Sequence, residues 1–168
     1  MHQEIYFEQA MEQSLVERGG FEKIDAKDFD PSRALFSAEV IAFVEASQPV
    51  RWQALVKLHG EQAGDVLLAS LVKELASKTA LHVLRHGFKC FGKTFRLAYF
   101  APNTGMNPQA AEAYGHNRLR VSRQVHFSEK HPRKSLDMVL SLNGLPVVTL
   151  ELKNPMTGQT VDDAMRQY

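Results

Sequence analysis

The chain has 168 residues, 44% of them hydrophobic and 23% charged, with a formal net charge of +1. That is the make-up of one ordinary globular domain with enough apolar material for a single core. The one cysteine, Cys90, excludes an intrachain disulfide and suits a reducing compartment. The start is acidic and amphipathic, without the basic-then-apolar pattern of an export signal, and no run approaches the ~18 apolar residues of a membrane span. A cytoplasmic protein with no membrane partner is expected.

The near-neutral total hides an asymmetry. Residues 1–30 are rich in Asp and Glu, whereas residues 116–134 carry Arg118, Arg120, Arg123, Lys130, Arg133 and Lys134 against Glu129 alone. A charge run is most often a solvated face. Placed directly before an acidic hairpin, this one reads as a phosphate-backbone contact surface, with Arg118, Arg120, Arg123 and Lys134 as its DNA-binding candidates.

In chain order, His2 to Arg18 has the spacing of a helix, with Ile5, Ala10 or Met11, Leu15 and Val16 on one stripe and Gly19-Gly20 as its stop. Glu8 and Glu12 stand one turn apart on it, a spacing that lets both face the sheet edge. Asp28–Pro31 makes a turn, and a second helix is expected from Pro31 or Ser32 to about Ala46. A short helix through Trp52 ends at Gly60, and Glu61 to Arg85 reads as the longest helix, stopped by Gly87. All of these read as packing structure.

Gly87 to Thr94, GFKCFGKT, satisfies the phosphate-binding pattern G-x-x-x-x-G-K-[ST]. That loop works only after a strand and at the start of a helix, whose amides hold the phosphates. Here a helix precedes and a strand-like FRLAYF follows, so the segment is expected to be a hairpin turning at Gly92-Lys93, with no nucleotide-binding residue. Pro102 to Tyr114 reads as a loop with a helical turn over Gln109–Tyr114, and Arg118 to Phe127 alternates as a strand.

Ser135 to Lys153, SLDMVLSLNGLPVVTLELK, is the segment that carries chemistry. Two alternating arms flank Asn143-Gly144, a dipeptide suited to the positive φ of a tight hairpin. A two-residue loop would set Asp137 opposite Leu150. A three-residue or bulged connection would set it opposite Glu151 and keep the apolar faces together, and that register is expected. Opposed carboxylates are about 4.5–5.5 Å apart at Cβ and repel unless a cation lies between them. A hard divalent ion on oxygen ligands fits, and Lys153, two residues past Glu151, would point at whatever the metal holds. That set suits metal-assisted phosphodiester hydrolysis. A solvent-facing hairpin with ordinary surface charges is the plain alternative. Beyond it, Thr160 can cap a last helix that reaches Gln167.

Asp137, then Glu151-x-Lys153, with an acidic residue on an N-terminal helix, resembles the PD-(D/E)xK nuclease superfamily. The string Arg123-Gln124-Val125, the hairpin with its continuation NPMTGQTVDDAMRQY, and the segments DFDPSRALF, QPVRWQAL and RHGFKCFGKTFRLAYFAPNTGMN look like the N-terminal nuclease region of the restriction (R) subunit of type I restriction endonucleases. The resemblance implies Asp137 and Glu151 as metal-binding carboxylates and Lys153 as the catalytic lysine. It implies Glu8 as the helix-borne metal acid, and Gln167 as the start of a Q-x-x-x-Y motif that helps hold DNA. Leu136 stands where the motif has proline.

The expectation is therefore an α/β nuclease-like domain over 1–168, with a mixed, mainly antiparallel central sheet flanked by helices. Residues 1–86 would be mostly helical, and 87–168 would hold the sheet and the active-site hairpin. The function implied is Mg²⁺-dependent cleavage of double-stranded DNA, as part of an assembly with methylation and specificity subunits. The family's ATP-driven motor is not in this sequence. The rival reading is a catalytically silent DNA-binding or subunit-docking module.

Overall fold

In the computed structural model, residues 2–103, 106–131 and 133–152 are described, with side chains from residue 5 onward. Contacts divide the chain into two units, one of residues 1–34, 119–141 and 146–168, the other of 35–118 and 142–145.

The first unit begins with helix α1, His2–Arg18, over the span its spacing predicts. Its buried face keeps Met11, Leu15 and Val16 of the expected stripe half-buried, but its most buried residues are carboxylates. Ile5, Tyr6 and Phe7 are exposed, whereas Glu8 is only 4% and Glu12 only 8% exposed. A helix that buries carboxylates and leaves aromatics in solvent is positioned by polar partners as well as by hydrophobic burial. The helix stops at Gly19, where the amides of Gly19 and Phe21 both reach the Leu15 carbonyl.

The sheet of this unit has the order β1-β4-β5-β6, with β1 Glu22–Lys23, β4 Leu119–His126, β5 Ser135–Leu142 and β6 Leu145–Leu150. The two-residue β1, which the sequence did not announce, lies parallel to β4, with Glu22 opposite Arg120 and Lys23 opposite Val121. The β5–β6 hairpin is antiparallel by connection, so the sheet is mixed as expected. Phe29, Val121, Val125, Met138 and Val139 are buried in this unit.

The second unit holds α2 Ser37–Ser47, α3 Pro49–His59, α4 Ala63–Ser77, α5 Ala80–His86 and α6 Pro108–Gly115, with the hairpin β2 Phe88–Cys90 and β3 Lys93–Phe95. Its core gathers Leu35, Phe43, Leu67, Leu71, Phe88 and Phe95, all fully buried. Phe88 and Phe95 are opposed in the hairpin register and their rings stack at 6.0 Å. Each such ring contributes roughly 2–3 kcal/mol by leaving water. Among the described residues no helix is long and apolar enough to cross a membrane.

Two helix expectations are corrected here. The second helix starts at Ser37 rather than near Ser32, because the Asp30 carboxylate accepts from the Ser32 amide at 3.0 Å and hydroxyl at 2.5 Å, and Ala34 takes a left-handed φ of 55°. The long helix expected over 61–85 is two, since Thr79 caps a new helix by accepting from the His82 amide at 3.2 Å. The GFKCFGKT segment is strand–turn–strand, as its context predicted. It turns one residue early, at Phe91-Gly92, where φ is 46° and 72°.

The central hairpin also differs from expectation. Two residues, Asn143 and Gly144, separate β5 from β6, and both have positive φ, 52° and 85°, as a type I′ turn demands. The bulged connection is not formed. One apolar face per strand would require it, but adjacent Met138 and Val139 are both buried, so the pattern does not dictate the register.

The turn is held from within its own unit. The Asn143 side chain donates to the Leu97 carbonyl at 2.8 Å and accepts from the Arg118 amide at 2.7 Å, and the Phe36 amide donates to the Gly144 carbonyl at 2.9 Å. A Cβ on Gly144 would stand 2.6 Å from the Phe36 carbonyl oxygen and 2.7 Å from the Val40 amide nitrogen, both backbone atoms. Gly144→Ala should therefore cost about 3 kcal/mol in denaturant unfolding. A loss below about 1 kcal/mol would show that the turn can move aside.

Candidate nuclease site

The site is built on the first unit. Gly19 ends α1 and leaves Glu8 and Glu12 on its buried face, beside β4. From β4, Arg123 places Nε 3.3 Å from Glu12 Oε1 and Nη1 3.9 Å from Glu8 Oε2. Lys23 on β1 completes this group, with Nζ 2.6 Å from Glu12 Oε2. Two carboxylates leave water here only because cations and donors meet them.

Next along β4, Gln124 donates from Nε2 to Glu8 Oε1 at 3.0 Å and lies 3.5 Å from Asp137 Oδ1. Ser135 on β5 donates its hydroxyl to Gln124 Oε1 at 3.0 Å. Asp137, half-buried on β5, accepts the Leu152 amide on Oδ2 at 2.7 Å. That bond replaces strand pairing just beyond Leu150, where β6 ends, and draws the following chain toward Asp137. Glu151 therefore comes to the same place as Asp137 without standing opposite it in a bulged ladder. Both line a cleft of about 270 Å³, with Arg133, Lys134, Ser135 and Phe127 among its other walls.

Of the expected site residues, the structure brings Asp137, Glu151 and Lys134 into one cleft and ties Glu8 to Asp137 through Gln124. Lys153, Gln167 and the cap at Thr160 lie outside the described residues. The arginines are placed otherwise than a phosphate surface would need. Arg118, in the second unit, has Nη1 4.0 Å from Glu39 Oε1, Arg120 pairs with Glu22, and Arg123 serves Glu8 and Glu12. Sequence reasoning missed Gln124, Ser135 and the structural use of Glu12. Their only signal was polar residues facing one another on neighbouring elements, which needs the strand pairing to be visible.

The donors suit a hard divalent cation: two carboxylates on one cleft, with room for water and a phosphate, is how Mg²⁺ is usually held. Among the described residues no three His, Cys, Asp or Glu side chains converge into a ready ligand cluster. Asp137 and Glu151 are thus the pair that fits, and Glu8 stands behind Gln124.

A mixed sheet that offers paired carboxylates beside Arg133 and Lys134 defines an α/β domain with an acidic, phosphate-compatible cleft. The family model for the type I restriction enzyme R protein N terminus (HSDR_N) matches residues 45–168, and the chain belongs to that family. It is an N-terminal domain of the R subunit of a type I restriction enzyme, a nuclease. R subunits of these systems act on DNA together with methylation and specificity subunits, and restriction nucleases as a group use a metal cofactor. No curated protein and no solved structure matches the chain significantly. The matched span begins after α1, so the place of Glu8 rests on geometry alone.

Proposed function

We propose that this domain is the Mg²⁺-dependent endonuclease of a type I restriction R subunit, with a PD-(D/E)xK-like core that hydrolyses phosphodiesters of double-stranded DNA. The observation that carries the reading is the meeting of Asp137 and Glu151 in one cleft edged by Arg133 and Lys134. Asp137 and Glu151 hold the metal, and Glu8 is the helix-borne acid beside them. Bound there, Mg²⁺ supplies Lewis acidity toward a phosphoryl oxygen and lowers the pKa of a water. Lys153 would orient the attacking water and meet the charge that develops on the phosphate, while Gln167 would help hold the strand. Lys134, with Arg133, meets backbone phosphates. Arg118, Arg120 and Arg123 contribute positive charge already matched by carboxylates. The domain works in the cytoplasm, within an assembly that includes the methylation and specificity subunits.

The test is linearisation of plasmid DNA by the assembled enzyme with Mg²⁺, wild type against Lys153→Ala, with DNA retention measured alongside. Cleavage should fall at least about a hundredfold with retention unchanged. Equal cleavage by the variant would remove the lysine from the chemistry. A wild-type assembly that retains DNA and never cuts it would make this domain a docking module.

A further inference from the structure

Gln124 is the only non-glycine residue with a left-handed φ, 54°, that lies within a described strand. Glutamine gains nothing intrinsic from that backbone region, so the surroundings must hold it there. What the distortion achieves is visible in the side chain. Its NH₂ group is aimed between Glu8 Oε1 at 3.0 Å and Asp137 Oδ1 at 3.5 Å, and its carbonyl oxygen accepts from the Ser135 hydroxyl. The orientation of the amide is fixed by chemistry, because only the NH₂ end can face two carboxylates.

We infer that Gln124 is a positioning residue for the metal-binding carboxylate: it couples buried Glu8 to Asp137, so that Glu8 acts on the metal site through Gln124 rather than as a ligand. Several features of the arrangement agree. Glu8 is tied down by Arg123 as well as by Gln124, which suits an anchor better than a ligand that must turn toward an ion. The Leu152 amide occupies Asp137 Oδ2, and Gln124 stands at Oδ1, so the two together set the plane of that carboxylate. Partners of this kind orient ligands, and their loss weakens metal affinity by about 10–100-fold. The inference rests on the reading of Asp137 and Glu151 as the metal pair.

The variant that separates positioning from fold support is Gln124→Gly. Glycine accepts the left-handed backbone without strain, so it relieves the distortion while deleting the amide. The readout is Fe²⁺ substituted for Mg²⁺ in the assembled enzyme, with peroxide and ascorbate, mapping backbone scission near the bound ion. Wild type should be cut beside Asp137, and Asp137→Asn should lose that cut. Gln124→Gly should keep its thermal midpoint, while the Fe²⁺ concentration for half-maximal scission rises about tenfold. Gln124→Asn, which tolerates the same backbone but cannot span both carboxylates, should behave alike. Unchanged half-saturation in both variants would overturn the role of Gln124 and leave the metal pair standing. A rise seen only together with a fallen thermal midpoint in both would overturn it too, as a structural effect. No scission beside Asp137 in wild type would sink the metal reading itself, and this inference with it.

Discussion

Asp137→Asn should lower double-strand cleavage by the assembled enzyme at least about a thousandfold, equivalent to roughly 4 kcal/mol of transition-state stabilisation. The substitution is almost isosteric. Its carboxamide oxygen can still accept the Leu152 amide that Asp137 Oδ2 now holds at 2.7 Å, so the chain beyond β6 keeps its course. What disappears is one of the two carboxylate charges, Asp137 and Glu151, that line the cleft. A carboxamide is a poor ligand for Mg²⁺, and a single remaining carboxylate leaves the ion mostly to water. Cleavage measured at saturating Mg²⁺, with DNA retention and thermal midpoint as controls, decides the matter. Activity within tenfold of wild type would mean that the chemistry lies elsewhere.

The second large effect is on stability. Arg123→Leu should destabilise the protein by about 3–4 kcal/mol, because breaking a buried pair leaves charge without compensation. Arg123 meets both inward carboxylates of α1, 3.3 Å from Glu12 and 3.9 Å from Glu8, whose side chains are 11% and 6% exposed. Lys23 cannot take over, since among the described residues it pairs with Glu12 and not with Glu8, and it is itself 60% exposed. Pairing the change with Glu12→Gln should recover about half of the loss, as expected for residues that act on each other directly. Denaturant unfolding of the single and double variants gives the coupling. Additive losses would mean that α1 is held by something other than this ion group.

These two residues also show what could be read from the sequence. Asp137, Glu151 and the hairpin that bears them were legible, because alternation and an Asn-Gly turn leave a strong local signature. The helices α1 and α3 were legible from their apolar spacing and glycine stops, and the strand β4 from its alternation. The connection at Asn143-Gly144 was not, because Met138 and Val139 point to opposite faces and both are buried. The role of Arg123 was misjudged for a related reason: a basic run looks alike whether it faces phosphate or a buried acid. Here Arg118, Arg120 and Arg123 each meet a carboxylate from a segment far away in the chain. The burial of Glu8 and Glu12 on α1 belongs to the same class. Hydrophobic periodicity places Leu15 and Val16 inward, and it cannot report that partners on β4 draw Glu8 and Glu12 in further.

The order in which the chain supplies these pieces has a consequence for how the protein is made. Gln124 and Glu8 are 116 residues apart, and Arg120 and Glu22 are 98 apart. Contacts of such separation form slowly, whereas the second unit draws on the nearly continuous stretch 35–118. On the ribosome, α1 emerges before β4, and Glu8 and Glu12 must wait for the partners that strand supplies. Residues 142–145 then complete the second unit, and a few residues later the Leu152 amide reaches Asp137. The acidic cleft is one of the last features to form, so a chain cut short before residue 150 carries the helices without the site.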